Sequence, residues 1–165
     1  MDSDIQRIIN EIKLSAEEIV SESPDQIKAV YVMDKEGTVI AYTTNTTLAN
    51  TGDMFFAMPR FISSLKGLLT TLPIGSIDYI LIQGAEDIVQ LIGIREIGYL
   101  MVIVNSESSI GLTRVILEKY TNRLYELLNK LTGASEEELV EVVNVEITPK
   151  DIEDVISFIR SKAML

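Results

Sequence analysis

Carboxylates are almost the only side chains in this chain with the chemistry for acid–base or metal work. The sequence contains no Cys and no His. That removes the thiol nucleophile, disulfides, the commonest general base and any Cys/His zinc site. Asp34, Glu36, Glu86, Asp87 and Glu96 all fall in segments that read as hairpin turns, where solvation and turn chemistry account for an acid. Their spacings match neither a metal loop nor a general acid–base pair, and a working carboxylate needs burial that turns rarely give. The glycines are scattered at turns, with no phosphate-cradling or dinucleotide-binding pattern. The chain is therefore read as having no catalytic residue, cofactor or metal.

Surface is what remains for it to work with. At 165 residues, 47% hydrophobic and 24% charged, the chain is one globular domain with room for an appendage. The formal net charge of −11 argues against nucleic acid or an anionic membrane as partner, because both reward basic patches. No apolar run approaches the ~20 residues that span a bilayer, so direct membrane insertion is not expected. The acidic start Met1-Asp2-Ser3-Asp4 lacks the features of a signal peptide, so the expected location is the cytoplasm. Richness in Ile without Cys, His or Trp suits an archaeal or thermophilic source.

These surfaces must be carried by elements. Ser3 and Gln6 have the spacing of a capping box, and Ile5, Ile8, Ile9, Ile12, Ala16, Ile19 and Val20 follow as a helical stripe. Ser23-Pro24-Asp25 ends this first helix. Residues 27–33 and 38–43 read as strands around the turn Asp34-Lys35-Glu36-Gly37. After a polar loop, Thr51 or Asp53 caps a second helix reaching about Leu72, its pattern interrupted by Pro59. Residues 76–83, 87–94 and 99–104 read as three more strands joined by short turns. A long third helix, with Ile116, Leu117, Tyr120, Leu124, Leu127 and Leu128 on one face, is expected to stop at Thr132-Gly133. The fold class is α+β: a five-stranded antiparallel sheet sandwiched between helices, in the order α-β-β-α-β-β-β-α. The expected domain is 3–132. The extension 133–165 has an ambiguous piece at 142–147, then a clear start signal at Thr148-Pro149 for a closing helix over about 149–163.

This order resembles the roadblock/dynein light chain family. The local match lies in Asn105-Ser106-Glu107-Ser108-Ser109-Ile110-Gly111-Leu112-Thr113-Arg114, which is similar to that family's strand-to-helix junction, and in Gly75-Ser76-Ile77-Asp78-Tyr79-Ile80-Leu81-Ile82, similar to its third strand. The resemblance covers about residues 3–131. It implies a non-catalytic scaffold or regulator that dimerises through the third strand and second helix and binds a small Ras-like GTPase. The residues placed at that interface are Met54, Phe55, Met58, Phe61, Ile62, Leu65, Ile77, Tyr79 and Leu81. The residues agree with this reading: an apolar edge strand invites another chain, and the second helix carries more apolar surface than one sheet face needs. Gly111 and Arg114 are structural markers, Gly111 for close packing at the helix start and Arg114 for a structural contact.

Two alternatives stand beside it. A small-ligand sensor would hold a pocket between sheet and helix, with the loop 43–53 as lid. A longin-like trafficking module shares the layered sheet but fits less well, because a capped helix precedes the first hairpin here.

Overall fold

In β1 (Ile27–Asp34) every residue but two is buried, as expected of a strand covered on both faces. It is the hub of the sheet in the computed structural model, which describes residues 2–45, 51–146, 153 and 156–161. β2 (Val39–Thr44) pairs on one side of it and β5 (Gly98–Asn105) on the other. β4 (Asp87–Ile94) follows β5, and β3 (Tyr79–Gln83) closes the sheet, giving the order β2-β1-β5-β4-β3 with all pairs antiparallel. Among the described residues the two ends, β2 and β3, have unpaired edges.

Helices cover both faces. α1 (Asp2–Glu22) and α3 (Ile110–Glu146) lie side by side on one face. There Ile12, Ile19, Leu117 and Leu124 pack on Val30, Val32, Leu100 and Val102. α2 (Met54–Thr71) covers the other face, where Met58 and Ile62 meet Tyr31, Met33, Leu91 and Met101. The α+β sandwich expected from the sequence is the observed fold. The acidic face of α1 meets cations of α3: Glu22 pairs with Lys119 and accepts from the Tyr120 hydroxyl at 2.8 Å, and Glu18 lies 3.6 Å from Arg123. Burial, and then the Glu22 bond, push the Tyr120 hydroxyl up to about 12. The bonds from Lys119 and Tyr120 hold the Glu22 carboxyl below its ordinary range.

Several boundaries differ from expectation. α1 starts at Asp2, so Ser3 sits inside its first turn and not at the cap. A 3-10 turn, Thr51–Asp53, leads into α2, and Asp53 occupies the cap position with helical dihedrals (φ −66°, ψ −23°) and no side-chain cap bond. Side-chain capping needs an extended backbone there. α2 runs through Pro59 without a break. β3 begins at Tyr79, three residues later than the apolar run suggests. α3 passes straight through Thr132-Gly133 and is helical as far as Glu146, so the ambiguous piece is helical over most of its length. Residues 156–161 are helical, while the start signal Thr148-Pro149 lies outside the described residues.

Two glycines fix how the layers meet. Gly37 has φ +83°, and a Cβ there would stand 2.7 Å from the Met58 carbonyl oxygen. The β1–β2 turn is thereby tucked under α2, where Lys66 reaches Glu36 at 3.2 Å. Gly98 faces Asp34 across the β1–β5 ladder, and a Cβ would meet the Met33 carbonyl oxygen at 2.5 Å and Leu128 Cδ1 at 2.7 Å.

Candidate interaction surface

Of the acids that first suggest chemistry, Asp34, Glu36 and Asp87 are used by the fold. Asp34 Oδ1 accepts the backbone N–H groups of Glu36 (2.8 Å) and Thr38 (3.0 Å), which shapes the first hairpin. Asp87 pairs with Lys28 at 2.6 Å across the sheet. Among the described residues no three carboxylates gather where they could hold a metal ion.

What the structure brings together instead is an edge and a helix. β3, Tyr-Ile-Leu-Ile-Gln, has no charged residue, and its outer side pairs with nothing among the described residues. Natural edge strands are usually guarded by charge, proline or a bulge. Alternation directs Tyr79 and Leu81 to the α3 face and Ile80 to the α2 face. Ile82 is 47% exposed. The C-terminal half of α2, through Lys66 and Leu69, and the segment Gly75 to Asp78 leading into β3 wall one cavity of about 370 Å³, so the helix and the approach to the edge are contiguous.

The nine candidate interface residues divide by depth. Met58 and Ile62 are buried under their own helix, at 5% and 0% exposure, and serve the protomer's core. Met54, Phe61 and Leu65 are half-buried against that core. Ile77, Tyr79 and Leu81 are half-buried along the edge. Phe55 is exposed, its ring edge-on to Tyr42 at 5.5 Å and 82°. The apolar residues most open to solvent in this region are others: Phe56 (74%), Leu68 (51%) and Ile74 (63%). Helical period alone separates Phe56 from the inward row Met58–Ile62–Leu65, and the same arithmetic puts Ser63 and Gly67 outward with it. α2 contains no acidic residue, and Arg60 and Lys66 are its only charges.

On the opposite face, the first turns of α3 reach the same edge. The buried Gln90 amide of β4 donates to the Thr113 hydroxyl at 2.6 Å. One residue further, the Arg114 guanidinium lies over the Tyr79 ring, 4.4 Å from its centroid, and its Nε donates to Glu118 at 3.0 Å. The Tyr79 hydroxyl is buried without a hydrogen-bond partner, and burial raises its pKa against the lowering effect of Arg114. Gly111 does not behave as expected: it is exposed, and a Cβ would meet nothing within 4 Å, so no close packing requires glycine there.

Solved structures share this architecture. MglB of Myxococcus xanthus superposes with a TM-score of 0.66 at 20% identity, over 74% of this chain and 91% of that one. The gliding protein MglB of Thermus thermophilus does so at 0.58 and 12%, over 72% and 91%. A Roadblock/LC7 domain of Streptomyces avermitilis gives 0.51 at 8%, over 75% and 97%. The fold is of the roadblock type. No family model matches the chain, and no curated protein matches its sequence. In roadblock terms, the sheet edge and helix described above are the third strand and second helix on which the sequence resemblance places pairing. No described helix is long and apolar enough to cross a membrane.

Proposed function

We propose that this chain is a non-catalytic scaffold or regulator that pairs with a second copy through β3 and α2, and that the pair binds a small Ras-like GTPase in the cytoplasm. The observation that carries the reading is the unguarded β3 edge lying beside the exposed, acid-free face of α2. Joined to its own copy, an antiparallel β3 satisfies the outward N–H and C=O groups and brings Ile82 toward its symmetry mate. The small outward residues Ser63 and Gly67 allow two α2 helices to approach closely, and Phe56 and Leu68 gain cover. One solved MglB of this fold stands in a tetrameric arrangement, a precedent for self-association in that protein. With no catalytic group of its own, the pair would act on a GTPase by ordering the GTPase's own residues around nucleotide and metal.

Sedimentation of the purified chain, followed by binding to GTP-locked and GDP-loaded forms of the native organism's small GTPases, tests both halves. The expected result is a dimer at micromolar concentration that Ile82→Lys converts to a folded monomer, with one nucleotide state retained over the other. A wild-type monomer at that concentration removes the first half, and binding indifferent to nucleotide removes the second.

A further inference from the structure

β3 is the most weakly supported strand of the sheet. It has five residues and one neighbouring strand, and α3 packs chiefly over β4 and β5, meeting β3 through Arg114 on Tyr79. A short, one-sided strand frays easily, yet an edge that recruits a second copy must be held flat and in register before the second copy arrives. From the side of α3, two consecutive residues supply the hold. Thr113 is fixed to Gln90, which stands opposite Leu81 in the β3–β4 ladder, and this seats the first turns of α3 over β4. Arg114 then extends beyond β4 to cap the ring of Tyr79, the first residue of β3. Its bond to Glu118 fixes the plane of the guanidinium over the ring. Stacking of that kind needs a planar cation and an aromatic face. The hydroxyl of Tyr79, unpartnered as it is, contributes nothing visible to the hold.

We infer that Arg114 is a positioning residue for self-association: from α3 it clamps the Tyr79 end of β3 and presents the edge on which a second copy pairs. This rests on the reading of β3 as the pairing edge. Arg114 acts through Tyr79 and need not touch the second copy.

The test measures dimer dissociation and backbone amide exchange on the full chain. Variants are Arg114→Ala, Arg114→Lys and Tyr79→Phe, with Ile12→Val as a control that loosens the core on α1. Arg114→Ala should weaken the dimer about two- to thirtyfold, the range spanned by a cation–π contact, and should speed exchange of the β3 amides while leaving β5 unchanged. Arg114→Lys should recover part of both effects. Tyr79→Phe, which keeps the ring face, should match wild type. Ile12→Val should lower the thermal midpoint with no change in dimer dissociation. A wild-type dimer constant and wild-type β3 exchange in Arg114→Ala overturn the inference. So does a loss in Ile12→Val as large as in Arg114→Ala, because that makes the effect one of global stability. A monomeric wild type refutes the pairing edge itself, and is distinguishable because it shows before any variant is made.

Discussion

Gly111 and Gly98 look alike in the sequence, each at the opening of an element, and their surroundings separate them. Around Gly98 the Met33 carbonyl oxygen and the Leu128 side chain leave no room for a methyl group. Around Gly111 there is open space, and glycine in a helix costs up to about 1 kcal/mol relative to alanine. Gly111→Ala should therefore stabilise the fold by up to that amount. Gly98→Ala should destabilise it by about 1–3 kcal/mol, the usual cost of forcing volume into a packed site. Chemical unfolding of the two variants checks the pair, and a loss of stability in Gly111→Ala would restore a packing role for that glycine. The contrast shows what single residues reveal before folding. Asp34 at a turn was legible, because turn chemistry is local. The seat of Arg114 on Tyr79 was not, because the two meet only once β3, β4 and α3 are assembled.

Among elements, periodicity located α1 to α3 and the five strands, and the errors cluster where a local stop signal was outvoted. Gly133 reads as a helix end, yet α3 continues to Glu146. One interior glycine costs about 1 kcal/mol, which favourable helix formers such as the following Ala134 and Glu136 to Glu138 offset in sum. The β4–β5 turn shows the reverse. Of the segment Arg95-Glu96-Ile97-Gly98 that separates the strands, Gly98 is spent on close approach to β1, and the turn itself is Arg95-Glu96, with φ of 42° and 64° closed by the Ile97 N–H to Ile94 C=O bond at 3.0 Å. Two successive left-handed residues are the signature of the type I′ hairpin, and each costs about 1–2 kcal/mol for a side chain with a Cβ. Arg95 recovers some of that through Asn122 at 2.8 Å and the Tyr125 ring at 4.6 Å. Glu96 is exposed and makes no described ion pair. Glu96→Gly should thus raise stability by about 1 kcal/mol, read as a shift in the denaturant midpoint. A decrease would mean that the Glu96 carboxylate holds something the backbone strain supports.

At the scale of the whole molecule, the hairpins alone join β1 to β2 and β3 through β5, and leave open how the two groups meet. The β1–β5 ladder, with Val30 opposite Val102 and Val32 opposite Leu100, decides it by burying the most apolar strands at the centre. β2 and β3 are left as the ends. That placement puts the charge in an unusual distribution. The chain carries −11 overall, while α2 contributes only the positive Arg60 and Lys66. Two copies meeting at β3 and α2 therefore bring like charge together twice: the acidic bodies repel at long range, and the Arg60 cations of the two α2 helices approach at short range, Lys66 being paired with Glu36 of its own copy. Neither supplies attraction, so association must come from strand pairing and apolar burial. Salt then acts with one sign. Raising NaCl from about 0.01 M to about 1 M shortens the screening length from ~30 Å to ~3 Å, which weakens both repulsions and leaves hydrogen bonds and apolar contact in place. The dimer should tighten several-fold across that range, measured by sedimentation equilibrium at constant pH. Chloride is the salt to use, since sulfate would strengthen apolar burial by itself. Loosening with salt would show that ion pairs across the contact hold the copies together, and would move the contact away from α2, where no acid exists to form them.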